Sequence, residues 1–485
     1  MKRTRIIPLL TAILFTVSCG STGGENAVTD GTTKDPTETT DVETEAFDFT
    51  KAVEKRDFGG TAFRILGRND GDMSALHAYE LSTDSENGDI INDAVFHRNQ
   101  KVGEYFNITF ETELVGREES LSLVRNSVLA GDKAYDLVWG FVGTMSSLAV
   151  SGCLDDFASY DMLSLESEWW NQPAREGLTV EGRLLLAFND IPFTSMLYTH
   201  CLFMNKRVAD DLGVKDVYKT VSDGKWTLDT LLTLTADKKN DLNGDGNFDD
   251  KDSYGFISSY GASGIFTTGC AVSVLKVNGR EIELTLMNDK TQSVIEKVCR
   301  LAYDNNSTYI VANSQEKIVA NMFSNGQSLF YSGFLSDPLS NFRDMKDDFA
   351  LLPLPKYDEN QDSYYTTISG GNGMLGIPVD VRDRDMTGLV TEALAIESYQ
   401  NIRPAVLETV MIGKLLRDDE SVDIFDMIIS GIKVDFAFLY TGKGYGRTLR
   451  DLLMKQSTDL SSYYAERKSA AIDYYNEVIQ SYLEK

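Results

Sequence analysis

The chain has 485 residues with 46 Lys and Arg against 74 Asp and Glu, a formal charge of −28; so acidic a surface disfavours nucleic acid as a partner, because neutralising phosphates takes an excess of basic side chains. Five cysteines that never form a C-x-x-C, and three histidines, His77, His97 and His200, argue against a disulfide framework, a histidine zinc site and histidine general-base chemistry. The length exceeds what one small core organises and suggests two lobes or domains.

Lys2, Arg3 and Arg5 precede an apolar run from Ile6 to Val17, and Thr16-Val17-Ser18-Cys19 places small residues before a cysteine. This is the pattern of a secretory leader, residues 1–18, ending at a lipid-attachment cysteine, Cys19. It resembles the bacterial lipobox, with Thr16 where that motif usually carries Leu. The apolar run is shorter than the roughly 20 residues a membrane-spanning helix needs. Residues 19–48 are Ser, Thr, Gly, Asp and Glu with almost nothing apolar, too little to offset the entropy of ordering. They read as a disordered acidic tether that holds a folded body off a membrane.

The body alternates strand and helix patterns, which argues α/β. Thr61 to Gly67 reads as a strand that breaks into the polar loop Arg68-Asn69-Asp70. Ile91, Ala94, Val95, Val102 and Tyr105 mark a helix over 90–106, followed by a strand at 108–112, a helix over 119–130 and a strand at 135–140. That order is the β-α-β-α-β crossover unit of a parallel sheet. Ligands sit beyond the carboxyl ends of such strands, so the loops at 68–70 and 139–143 are candidate site walls. A further strand is expected over Glu181 to Phe188, leading into Asn189-Asp190, and Met204-Asn205-Lys206 opens a helix. Thr227 reads as the N-cap of the next helix, with Asp229 in the first turn, where the helix dipole favours an anion. Tyr464, Ile472, Tyr475, Ile479 and Tyr482 sit at helical spacing in a long C-terminal helix packed by one face. The cysteines Cys153, Cys201, Cys270 and Cys299 are read as buried thiols.

Asp241, Asn243, Asp245, Gly246, Asn247, Asp249 and Asp252 fall at positions 1, 3, 5, 6, 7, 9 and 12 of a calcium loop. The spacing folds carboxylates and the Asn247 carbonyl around one point, with Gly246 making the sharp turn. Asp252 stands where the longer bidentate Glu is usual, which weakens or reshapes the site. One structural calcium ion is expected here, and a metal-free Asx-rich turn is the competing reading.

Taken in order, the leader and tether, Phe63-Arg64-Ile65-Leu66-Gly67, Asn92 to Asn99, Tyr135-Asp136-Leu137-Val138, Trp169-Trp170-Asn171, Met204-Asn205-Lys206, Lys225-Trp226-Thr227, Tyr254-Gly255-Phe256 and Leu352-Pro353-Leu354-Pro355 resemble the extracellular solute-binding proteins of bacterial ABC importers, in particular the carbohydrate-binding branch. The resemblance covers essentially the whole chain. It implies the two-lobed periplasmic-binding-protein fold, α/β in class, with a hinge and an interlobe ligand cleft. By position one lobe would comprise 57–190 and 325–378, and the other 191–324 and 379–485. Crossings are expected near Asn189-Asp190 and 376–379. The resemblance also implies a monomer, tethered outside the cytoplasm by lipid, that passes its ligand to permease subunits.

Sugars are held by aromatic faces against C–H patches and by planar polar side chains paired with hydroxyls. Matching the family layout residue by residue points to Arg68, Asn69, Asp70, Trp139, Asn189, Asp190, Tyr260, Tyr331, Phe334 and Asn372, with Gly370 and Gly371 offering backbone amides. For each aromatic, packing in the core is the competing reading, and Trp169-Trp170 is read as packing. Acidic pairs are too plentiful to indicate a glycan hydrolase, and no nucleophile elbow, His-Glu-x-x-His or phosphate loop is present. A receptor for a peptide or other polar solute is the main alternative.

Overall fold

In the computed structural model the described residues are 48–71, 73–412 and 419–484; the leader, Cys19 and nearly all of the acidic tether lie outside them. Helix β-strand alternation begins with β1 (Thr61–Arg68), α1 (Ile90–Phe106), β2 (Ile108–Val115), α2 (Arg117–Ala130) and β3 (Leu137–Phe141), which runs straight into α3 (Val142–Val150). The boundaries follow from local chemistry. Asp89 caps α1, its carboxylate accepting from the Asn92 amide, and Asn107 closes the helix at φ 49°; Asn tolerates that left-handed position better than most residues. β1 pairs in parallel with β2 from Thr61↔Ile108 to Arg68↔Val115, and with β3 at Ile65↔Leu137. The crossover unit expected from the sequence is therefore formed.

The second sheet contains β4 (His200–Asn205), β5 (Tyr254–Ser259), β8 (Thr308–Val311), β9 (Ser328–Phe334) and β10 (Phe349–Leu352), while β6 (Leu275–Asn278) and β7 (Glu281–Leu284) form a separate hairpin. Its spatial order is β10-β4-β9-β5-β8, with β5 parallel to β8 and β9, and β4 antiparallel to β9 and β10. β11 (Gly373–Gly376) returns to the first sheet, antiparallel to β3. Between them run α4 (Leu228–Thr235), α5 (Asp289–Cys299) and α6 (Glu316–Ser324). Thr227 caps α4 by accepting from the Thr230 amide, with Asp229 in the first turn. The C-terminal part adds α7 (Arg384–Glu397), α8 (Arg403–Ile412), α9 (Asp419–Ser430), α10 (Thr448–Met454) and α11 (Leu460–Leu483). α11 buries Tyr475, Ile479 and Tyr482 along one face. The four cysteines of the described body are buried free thiols. Among the described residues no helix is long and apolar enough to cross a membrane.

Two expectations change. Residues 181–188 make no strand: the Leu184 amide donates to the Asp156 carboxylate and its carbonyl accepts from Phe157, so only Ala187 is left to bridge β11, at Leu375. Residues 325–352 do not join the first lobe, because β9 and β10 both pair with β4. The return to the first sheet falls in 366–372, ahead of β11 rather than at 376–379. There the two crossing segments pair with each other: the Ser369 amide donates to the Tyr198 carbonyl (2.8 Å), the His200 amide to the Thr367 carbonyl (3.1 Å), and Thr199 bridges Ile368. After β11, α7 and α8 pack on α1 of the first lobe, and α9 packs on β10 of the second.

Candidate ligand-binding site

Strand ends converge on one cleft of about 470 Å³. From the first sheet come Phe141 at the carboxyl end of β3 and Val142-Gly143 at the start of α3; from the second come Gly261 and Gly264 after β5, Asn313 after β8, Glu316 at the start of α6 and Phe334 at the end of β9. The crossing segment supplies Thr367 to Gly371, and the stretch before and within α10 supplies Asp435, Phe438, Thr441, Gly446, Arg447 and Arg450. Placement beyond the carboxyl ends of strands is where open α/β sheets put ligands. Three aromatic rings thus share the cleft with amide, carboxylate, hydroxyl and guanidinium groups.

The polar groups are differently committed. Glu316 accepts from the Ser259 hydroxyl at 2.7 Å; burial raises its pKa, partly opposed by that bond. Asp435 caps the turn at Phe436–Leu439 by accepting from the Ala437 amide at 2.6 Å, and burial raises its pKa too. Asn313 accepts from the Gly261 amide at 2.9 Å. Arg450 is half-buried beside Asp451 at 3.0 Å, whereas Arg447 is exposed. His200 packs against Phe334 with the rings tilted and their centroids 4.4 Å apart, and its burial pushes the imidazole down to about 3.

The wall at 435–450 is backed by the tyrosines of α11. The Tyr445 amide donates to the Tyr475 hydroxyl at 2.8 Å, and the Tyr440 and Tyr482 hydroxyls bond at 2.7 Å. A Cβ on Gly444 would lie 2.0 Å from the Tyr475 hydroxyl, and one on Gly446 2.2 Å from the Ala437 carbonyl. Only glycine allows the loop to lie that close to its support.

Of the residues expected at the site, Phe334 lines the cleft, as do Gly370 and Gly371. Trp139 is wholly buried, edge-on to His77 at 5.2 Å and beneath the Arg68 guanidinium at 5.5 Å. Tyr331 is buried too, stacked on Phe203 at 6.2 Å and hydrogen-bonded to Asp337. Strand alternation explains the pair: Tyr331 and Phe334 point to opposite faces of β9. Tyr260 is half-buried and bonded to Tyr303; its successors Gly261 and Gly264 are the lining residues.

Arg68, 2 % exposed, stands behind the wall. It donates to Asp70 (2.6 Å) and to the Gly371 carbonyl (2.7 Å), tying β1 to the crossing loop. Burial works to raise the Asp70 carboxyl, but bonds and charge from Arg68 and Arg117 hold it below its usual value. Asn69 is exposed. Asn189, Asp190 and Asn372 are buried in the crossing region. Asp190 pairs with Arg403 at 2.7 Å, Asn189 accepts from the Ile191 amide, and Asn372 donates to the Ser195 carbonyl at 2.9 Å. They fix the crossings and offer the cleft no surface.

Sequence reasoning misses Asn313, Glu316, Phe438, Arg447 and Arg450. The one signal for the last group is the glycine-rich run Gly442-Lys443-Gly444-Tyr445-Gly446-Arg447.

The Asp-rich loop lies apart from the cleft. Asp241 accepts from the Gly244 and Gly246 amides, Asn243 from Asp245, and Asp245 from Asn247. Asp252 is buried and closes the loop by accepting from Leu242 and Asp249. These oxygens suit a hard cation in kind. In this arrangement they close Asx turns, and among the described residues no group of three or more His, Cys, Asp or Glu side chains is gathered around one metal position.

The sequence profile of the bacterial extracellular solute-binding proteins matches residues 100–388, more than half of the chain. The chain belongs to that family. No curated protein sequence matches it. Among solved structures, a cyclo/maltodextrin-binding protein complexed with maltotetraose superposes with a TM-score of 0.54 at 13 % identity, covering 88 % of this chain and 97 % of the other. A sugar transporter of Rhizobium etli in an open conformation gives 0.53 at 12 % identity, covering 88 % and 100 %. UspC of M. tuberculosis gives 0.52 at 14 % identity, covering 85 % and 100 %. At these identities the likeness is one of fold, the two-lobed fold of solute-binding proteins.

Proposed function

We propose that this family member is the receptor of an ABC importer that captures a sugar or oligosaccharide outside the cytoplasm and hands it to permease subunits. The observation that carries the reading is the cleft itself, in which Phe141, Phe334 and Phe438 stand beside Asn313 and Glu316. Rings that cover C–H faces, next to planar polar groups that pair with hydroxyls, are what a sugar requires. Structural neighbours that are sugar-binding proteins support the same substrate class. Cys19 is the proposed lipid anchor, and the acidic tether after it keeps the receptor near its permease.

Calorimetric titration with mono- and oligosaccharides tests the proposal. Saturable one-to-one binding is expected, weakened about tenfold or more by Phe334→Ala with little change in Tm. Binding of oligopeptides in place of sugars, or release of a hydrolysis product, overturns it.

The proposal includes one structural calcium ion on the 241–252 loop, supported by the spacing of its oxygen-bearing residues. Calcium then raises Tm, a chelator reverses the shift, and Asp241→Asn abolishes it. Melting curves indifferent to calcium and chelator refute it.

A further inference from the structure

The cleft differs in charge from the molecule that contains it. In a chain of formal charge −28, its two lining carboxylates are already committed, Glu316 to the Ser259 hydroxyl and Asp435 to the Ala437 amide. Burial favours the neutral form of both. Arg447 on the same wall is exposed and makes no ion pair within the described residues, while Arg450 shares only its neighbour Asp451.

Resting on the sugar-receptor reading, we infer that the ligand is an acidic carbohydrate, whose carboxylate or sulfate pairs with Arg447 on the wall that also carries Arg450. The overall negative charge slows encounter with anions in general, so the cleft selects for an anion that also carries the sugar's hydroxyls and apolar faces.

The test uses the full chain and matched panels of oligosaccharides, with uronate and sulfated members beside their uncharged parents. An acidic member is expected to bind about tenfold or more tighter than its parent, an advantage that shrinks as salt is raised. Arg447→Gln should erase the advantage while keeping the weaker binding of the parent, and Arg447→Lys should restore part of it. Which charged arm responds tells carboxylate from sulfate. Equal affinity for charged and uncharged partners, or an Arg447→Gln effect that is the same on both, overturns this inference and leaves the sugar receptor standing. If no saccharide in either panel binds, the receptor reading falls, and this inference with it.

Discussion

His77, Glu80 and Trp139 form a buried polar cluster in which both imidazole nitrogens, Glu80 Oε1 and Trp139 Nε1 have no hydrogen-bond partner among the described residues. Glu80 Oε2 accepts from the Thr194 hydroxyl at 2.6 Å, and Oε1 lies 4.0 Å from His77 Nε2. Burial pushes the Glu80 carboxyl up to about 8 and the His77 imidazole down to about 4. Burial thus favours the neutral form of both groups in the folded protein. The unfolded chain releases the Glu80 proton near its ordinary value of 4.5, so the stability tied to that proton is complete below that pH and is lost as pH rises through about 8. Glu80→Gln should then be more stable than the parent by about 2 kcal/mol or more at pH 8.5, with the gap closing towards pH 4.5. Parallel Tm profiles across that range refute the assignment. His77 acts in the opposite sense, its contribution being lost as pH falls from its ordinary 6.5 through about 4. None of this was legible in the sequence: Trp139 qualifies as a ligand-facing aromatic by its place at a strand end, and only the packing of His77 beneath it shows that it belongs to the core.

The first sheet was legible because its information is local. Each strand of the β1-α1-β2-α2-β3 run lies one helix from the next, and cap residues such as Asp89 mark the ends. The second sheet pairs Leu352 with Leu202 and Met204 with Phe330, partners so distant along the chain that periodicity carries no trace of them. α1 also shows how an element serves the hinge. Arg98, 1 % exposed, donates to the Ile191 carbonyl (2.8 Å), the Leu81 carbonyl (2.9 Å) and the Ser398 hydroxyl (3.1 Å), joining α1 to the first crossing segment and to the end of α7. Arg98→Met removes these donors and strands buried acceptors. A loss of about 3 kcal/mol is expected by denaturant unfolding, and a midpoint within error of the parent would show that the network contributes nothing.

At the scale of the molecule, two sheets are joined where Tyr198 to His200 and Thr367 to Ser369 run side by side, and the cleft opens at that junction. Short paired crossings between packed lobes suit rotation about a hinge. Saturating ligand should reduce the radius of gyration measured by small-angle scattering, and an unchanged scattering curve at saturation would assign the cleft to a rigid binder. The same overview shows why the cleft walls were only half readable: the strand-end loops announce themselves by position, but the Arg447 wall is contributed by residues far along the chain from either sheet's first strand. That wall lies close to its support because Tyr475 of α11 stands behind Gly444 and the Ala437 carbonyl behind Gly446. Synthesis runs from the amino end, so both sheets can be complete while the residues that brace the pocket have yet to be made. A nascent or clipped chain that stops ahead of α11 therefore carries the strands of both sheets without the Tyr475 hydroxyl that supports this wall.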